Sequence, residues 1–156
     1  MIVVADTSPL NYLILIGHVG VLPRLYARVL IPPAVVSELR NPSAPGAVRE
    51  WMASQPAWIE VVSPLKTGVF ASLDLGECQA IALAVESGAG ALLIDDLAGR
   101  REAMRRGLAV AGTLSVLDDA DQGGLLSFDD AVARLRNTSF RLSQAVLAEI
   151  MRKRAR

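Results

Sequence analysis

An α/β sandwich around a mostly parallel sheet is predicted by three features of the sequence. Five short apolar runs of strand length recur along the chain, in "IVVA", "ARVLIPP", "WIEVV", "AGALLIDD" and "LAVAG". Segments with helical apolar spacing fill the stretches between them, and Gly or Pro punctuates most of the joints. In such sheets ligands bind at the carboxyl edge of the strands, so the residues that directly follow each run matter first. The length of 156 residues suits one domain, residues 1–156, with a helical C-terminal portion from about residue 127.

The first run, "IVVA", ends at Asp6, and Ser8-Pro9 directly after Asp6-Thr7 reads as a helix cap followed by proline in the first helical position. "LNYLILIGHVGVLPRLY" carries helical spacing broken by Gly17 and Gly20, which predicts one helix and then a shorter one. "ARVLIPP" is the second strand; Pro33 can open the helix "AVVSELR", because its missing N–H would be unpaired there anyway. "GAVREWMASQP" is a further helix ending before Pro56, and "WIEVV" a third strand. "PLKTGVFASLDLG" has no regular pattern and reads as a connector into the helix "ECQAIALAVESG", which Gly88 stops. "AGALLIDD" is a buried strand that, like the first, ends in carboxylates. "LAGRREAMRRG" is a helix closed at Gly107, "LAVAG" a short strand, and "TLSVLDDADQGG" a helix and turn. Two helices complete the chain, the first capped by Ser127 or Asp129 and the second near Ser143.

The formal net charge is zero, so bulk charge does not argue for a polyanionic partner, but its distribution is uneven. Of 16 basic residues 14 are Arg; Arg100, Arg101, Arg105 and Arg106 share one short segment, and others load the tail. They could form a basic surface or simply a solvated helix face. The lone Cys78 excludes an internal disulfide and reads as a small buried hydrophobe. With one cysteine and one histidine, His18, a bound metal would need oxygen ligands, which favours magnesium or manganese over zinc. Neither a secretory leader nor an apolar run of membrane-spanning length is visible, so the cytoplasm is the expected compartment.

The candidate site is acidic. Asp6 could be a turn or cap residue, although Ser8 is already positioned to cap the helix. Glu38 lies inside its helix, with a solvated face as the ordinary explanation, and Arg40 as a surface companion. Asp74-Leu75-Gly76-Glu77 has the spacing of a capping box. One of Asp95 and Asp96 can cap the following helix, but one cap does not account for both. Jointly, these acids fall near element ends that a parallel sheet brings to one rim. Like charges roughly 4 Å apart repel by about 4 kcal/mol at an effective dielectric near 20, and a divalent cation would compensate them.

Taken in order, "VVADTSPLNYL", "VLIPPAVVSELR", "LDLGECQAIALA", "ALLIDDLAGRREAMRRGLAVAGTLSVL" and, more loosely, "SFDDAVARLR" resemble the PIN-domain family, in particular the bacterial and archaeal branch related to VapC-type toxins. The resemblance spans about residues 2 to 140. It implies a three-layer α/β/α fold, an acidic Mg²⁺ or Mn²⁺ site, and hydrolysis of RNA phosphodiesters to a 5′-phosphate and a 3′-hydroxyl. The family's acids map onto Asp6, Glu38, Glu77 and Asp95, with Asp96 as neighbour and possible substitute, and its small hydroxyl positions onto Thr7 and Ser8. It further implies RNA as substrate, a cognate antitoxin as partner, a homodimer, and no membrane association. Two departures are plain: the third acid is Glu rather than the more frequent Asp, and the fourth region lacks the usual threonine.

Asp6 and Asp95 are expected to be direct metal ligands, with Glu38 and Glu77 binding directly or through water. Arg100, Arg101, Arg105 and Arg106 are candidates for backbone phosphate contacts, or equally for a protein interface. Other phosphoryl chemistries fit less well. A haloacid-dehalogenase-like phosphatase needs Asp-x-Asp where this chain has Asp6-Thr7-Ser8; a receiver domain needs a lysine after its aspartate, and Lys66 precedes Asp95; no GxxxxGK[ST] loop is present. The non-enzymatic alternative is a PIN-like module that binds RNA or protein.

Overall fold

The computed structural model describes residues 1–156. Its single sheet holds β1 (Ile2–Ala5), β2 (Arg28–Ile31), β3 (Ile59–Val61), β4 (Ala91–Leu93) and β5 (Val110–Ala111), in the order β3-β2-β1-β4-β5. Every neighbouring pair is parallel, so the sheet is wholly rather than mostly parallel. The connecting helices are α1 (Thr7–Leu15), α2 (Leu22–Leu25), α3 (Pro33–Arg40), α4 (Gly46–Ala53), α5 (Leu75–Ser87), α6 (Leu97–Arg105) and α7 (Thr113–Gln122). Helices α8 (Phe128–Leu135) and α9 (Gln144–Arg154) follow the last strand and make up the C-terminal helical portion. None of them is long and apolar enough to cross a membrane.

Alternation along each strand builds the three layers. Val3, Ala5, Val29, Ile31 and Leu93 face the larger apolar cluster, where Leu10 and Leu13 of α1, Val35 of α3 and Leu117 of α7 pack. Val4, Leu30, Leu92 and Ile94 face the opposite side, against Ala80, Ile81 and Leu83 of α5 and Ala103 of α6. Burial on both faces explains why the strands read as unbroken apolar runs.

The boundaries follow local chemistry. Pro33 opens α3, and Gly88, at φ 63°, supplies the left-handed turn that ends α5. Ser127 and Ser143 accept the backbone N–H groups of Asp130 and Val146 as the caps of α8 and α9. One expectation is corrected: Ser8 is not the cap of α1. The helix starts at Thr7 with Asp6 in the cap position, and no side chain caps it. Ser8 lies inside the helix, and its hydroxyl donates to Asp95 Oδ2 at 2.7 Å, a charge-assisted bond across the joint.

The topology places the site. From β1 the chain passes to β2 and β3 on one side, then returns to β4 on the other. Helix α1, leaving β1, packs on one face of the sheet, and α6, leaving β4, packs on the other. The carboxyl ends of β1 and β4 therefore border the crevice where strand order reverses, the place at which open α/β sheets bind ligands.

Candidate active site

Asp6 stands at that crevice because β1 and β4 pair in register, and its backbone N–H extends the ladder to Leu93 O at 2.9 Å. Its side chain is only 5% exposed, and Oδ1 has no hydrogen-bond partner. Burial pushes the Asp6 carboxyl up to about 7; a backbone hydrogen bond at Thr7 opposes the shift, and the charges of Asp74, Glu38 and Asp95 reinforce it.

Glu38, on α3, is held by the Thr7 hydroxyl, which donates to Glu38 Oε2. Its carboxylate lies against the first turn of α5, so close to Gly76 that a Cβ there would stand 2.6 Å from Oε1. Burial also raises this carboxyl, against the Thr7 and Gly76 hydrogen bonds and with the Asp74 charge. Arg40 forms no ion pair with it or with any other acid.

Glu77 combines both readings of its motif. The capping box is complete: Glu77 N–H donates to Asp74 Oδ1 at 2.7 Å, and Asp74 N–H donates to Glu77 Oε1 at 3.0 Å. That arrangement occupies one oxygen and leaves Oε2 buried without a partner. Burial lifts the Glu77 carboxyl to about 8, a backbone hydrogen bond at Asp74 counters it, and the charges of Asp74 and Asp96 add to it.

The adjacent pair between β4 and α6 divides its duties. Asp96 caps α6, accepting Gly99 N–H at 2.9 Å. Asp95 is fastened by three donors: Ser8 Oγ at 2.7 Å and Thr113 Oγ1 at 2.8 Å to Oδ2, and Thr113 N–H at 2.7 Å to Oδ1. One carboxylate thus joins the first turns of α1 and α7 to the end of β4.

The charges of Glu38, Asp74 and Asp95 act on Asp6 and those of Asp74 and Asp96 on Glu77, so these carboxylates are neighbours; Asp74 was legible only as a cap. Thr113 and the close-approach glycines Gly76 and Gly112 also escaped notice; the one available signal was a small hydroxyl residue directly after a strand, as at Thr7. As they stand, no three of these carboxylates converge into a preassembled coordination group. Uncompensated like charges favour that spacing.

Of the four arginines singled out, Arg105 and Arg106 lie 3.6 Å from the half-buried Glu102 in ion pairs, and the Arg106 guanidinium sits 4.9 Å above the Phe70 ring. Arg101 is exposed and Arg100 half-buried, and neither forms an ion pair.

A family model, DUF3368, described as a PIN domain, matches residues 2–156. Among solved structures, a PilT N-terminus domain protein from the hyperthermophilic archaeon Sulfolobus solfataricus P2 is similar, with a TM-score of 0.50 and 15% identity. That likeness covers 92% of this chain and 100% of that one, and is a likeness of fold. No curated protein matches the sequence.

Proposed function

Because the chain belongs to the PIN-domain family, whose members are typically nucleases, we propose that it is a metal-dependent endoribonuclease acting at the β1/β4 crevice. One observation carries this reading: Asp6 Oδ1 and Glu77 Oε2 are buried carboxylate oxygens with no partner, at a rim shared with Glu38, Asp74, Asp95 and Asp96. Buried anionic oxygens without donors destabilise a fold unless a cation satisfies them. An all-oxygen donor set fits Mg²⁺ or Mn²⁺. Asp6 and Glu77 would hold the ion, with Glu38 and Asp96 beside them. When bound, such an ion supplies Lewis-acid polarisation of the phosphate and lowers the pKa of water.

The chain's own residues do the rest. Thr7 orients Glu38, and the Asp74 cap fixes Glu77 so that only Oε2 is free. Ser8 and Thr113 hold Asp95 in place, which makes it a positioning residue more than a ligand. Arg100 and Arg101, free of ion pairs beside the rim, would meet the RNA backbone, giving salt-sensitive affinity.

The test is cleavage of a mixed RNA pool by wild type and by Asp6→Asn, with Mg²⁺, Mn²⁺ or chelator, alongside calorimetric titration of Mn²⁺. Metal-dependent cutting that the substitution abolishes supports the reading; equal cutting by both proteins overturns it. The separated carboxylates favour the second reading, a non-catalytic binding module, which would return RNA binding without Mn²⁺ binding or cutting. As the toxin of a toxin–antitoxin pair, the wild-type chain would arrest growth on expression and Asp6→Asn would not.

A further inference from the structure

The first turn of α5 gathers three carboxylates: Asp74, Glu77 and, from α3, Glu38. The capping box spends one oxygen of each of its two acids, since Asp74 Oδ1 accepts Glu77 N–H at 2.7 Å and Glu77 Oε1 accepts Asp74 N–H at 3.0 Å. Asp74 Oδ2 and the buried Glu77 Oε2 are left over. Gly76 lies between the two acids and lets Glu38 close in, because a Cβ there would stand 2.6 Å from Glu38 Oε1 and 2.7 Å from Oε2.

Asp74 also reaches furthest across the rim. Among the carboxylate charges acting on Asp6 it is the strongest, ahead of Glu38 and Asp95, and it acts on Glu38 and Glu77 as well. Of these three acids, Asp95 acts on Asp6 alone and Asp96 on Glu77 alone. The two aspartates differ in what they have left to give. Asp95 already takes three donors, which immobilise it. Asp74 takes one, and its exposed side chain can turn Oδ2 toward an ion while Oδ1 keeps the cap. The buried oxygens without a donor, Asp6 Oδ1 and Glu77 Oε2, are 5% and 6% exposed by residue, and the carboxylates stand apart as they are. A hard cation seated on those two oxygens needs further oxygen ligands, and Asp74 is the neighbour free to close on it.

We propose that Asp74, besides capping α5, is a direct ligand of the divalent ion held by Asp6 and Glu77, in the place that the family resemblance gives to Asp95. This role rests on the nuclease reading above and adds a residue to that site.

Asp74→Asn tests it. Asn caps a helix as well as Asp does, but with Oδ1 on the cap it puts an amide nitrogen where the free oxygen was. Calorimetric titration of Mn²⁺ without RNA should show affinity lower by about tenfold or more, the least that loss of a metal-supporting group costs. Water-proton relaxation should find an additional water on the bound Mn²⁺. Asp95→Asn removes the same charge from the same rim and should leave the water count as in wild type. Asp74→Ser, a second cap without charge, should repeat the Asp74→Asn result. A wild-type water count in both Asp74 variants, or an additional water in Asp95→Asn instead, overturns the proposal. So does a lowered urea midpoint in chelator for both Asp74 variants, which would make that charge structural. RNA cleavage by the same samples separates the two readings. Mn²⁺ binding that depends on Asp74 without any cutting sinks only the nuclease reading. Metal-dependent cutting, with Asp74→Asn binding Mn²⁺ as wild type does, sinks only this one. A wild-type chain that binds no Mn²⁺ sinks both.

Discussion

A carboxylate that is 5% exposed and leaves one oxygen unpaired weakens the fold that carries it, so Asp6 opposes stability wherever it is ionised and uncompensated. Asp6→Asn removes that charge at nearly constant shape. In chelator at about pH 8 the variant should be more stable than wild type by about 1–3 kcal/mol in urea titrations, while Mn²⁺ binding and RNA cleavage disappear. A loss of stability instead would show that Asp6 is built in for structure. Thr113, fully buried, has the opposite character. Thr113→Val keeps the N–H bond to Asp95 Oδ1 but deletes the hydroxyl bond to Oδ2, and should cost about 1–2 kcal/mol, which Thr113→Ser recovers. At this scale the sequence was informative where an acid ends a strand, because such a residue must face the carboxyl edge. It was mute on Thr113 and Gly112, whose roles depend on which strand end they face.

Helix α5 shows how one element serves both fold and site. Its capping box satisfies two backbone N–H groups and in the same bonds leaves Glu77 Oε2 free. Gly76, in its first turn, is a poor helix former placed where a Cβ would press to 2.6 Å from Glu38 Oε1. Gly76→Ala gains up to about 1 kcal/mol of helix propensity, so thermal stability should change little. Mn²⁺ affinity and cleavage should nevertheless fall by about tenfold or more, because Glu38 must leave its seat. Equal activity in the two proteins would mean that Glu38 lies outside the machinery. The elements themselves were readable throughout, since apolar spacing, Pro33, Gly88 and the serines at 127 and 143 all act locally. Ser8 misled because its choice of acceptor, Asp95, is 87 residues away.

The order β3-β2-β1-β4-β5 is a property of the whole molecule and was not written in any one segment; parallel pairing was legible, the neighbour relation of β1 and β4 only conditional. Distant parts also meet through Arg154, which ties α9 to Asp118 at 2.7 Å and Asp121 at 3.0 Å on α7, and covers the Phe128 ring at 4.9 Å. Partly exposed pairs contribute little singly, so Arg154→Ala should lower stability only slightly and speed hydrogen exchange in α9 while cleavage is retained. The acid rim sets a larger, pH-dependent effect. Asp6 is raised from 3.8 to about 7 and Glu77 from 4.5 to about 8, so the folded chain binds protons that the unfolded chain has already released. Stability without metal therefore falls as pH rises between those values and levels off above about pH 8. Below about pH 4 the sign reverses, because Glu60 and Asp121, held low by their hydrogen bonds, lose the stability they contribute when ionised. Metal-free chain should thus be most stable near pH 4. Saturating Mn²⁺ binds the ionised rim, so its stabilisation should grow from pH 5 to pH 8 and cancel the decline. Urea titrations across that range, in chelator and in Mn²⁺, test the scheme. A metal-free chain whose stability climbs steadily to pH 8 would show that the rim is not strained by its charge, and that the oxygens of Asp6 and Glu77 are satisfied without a cation.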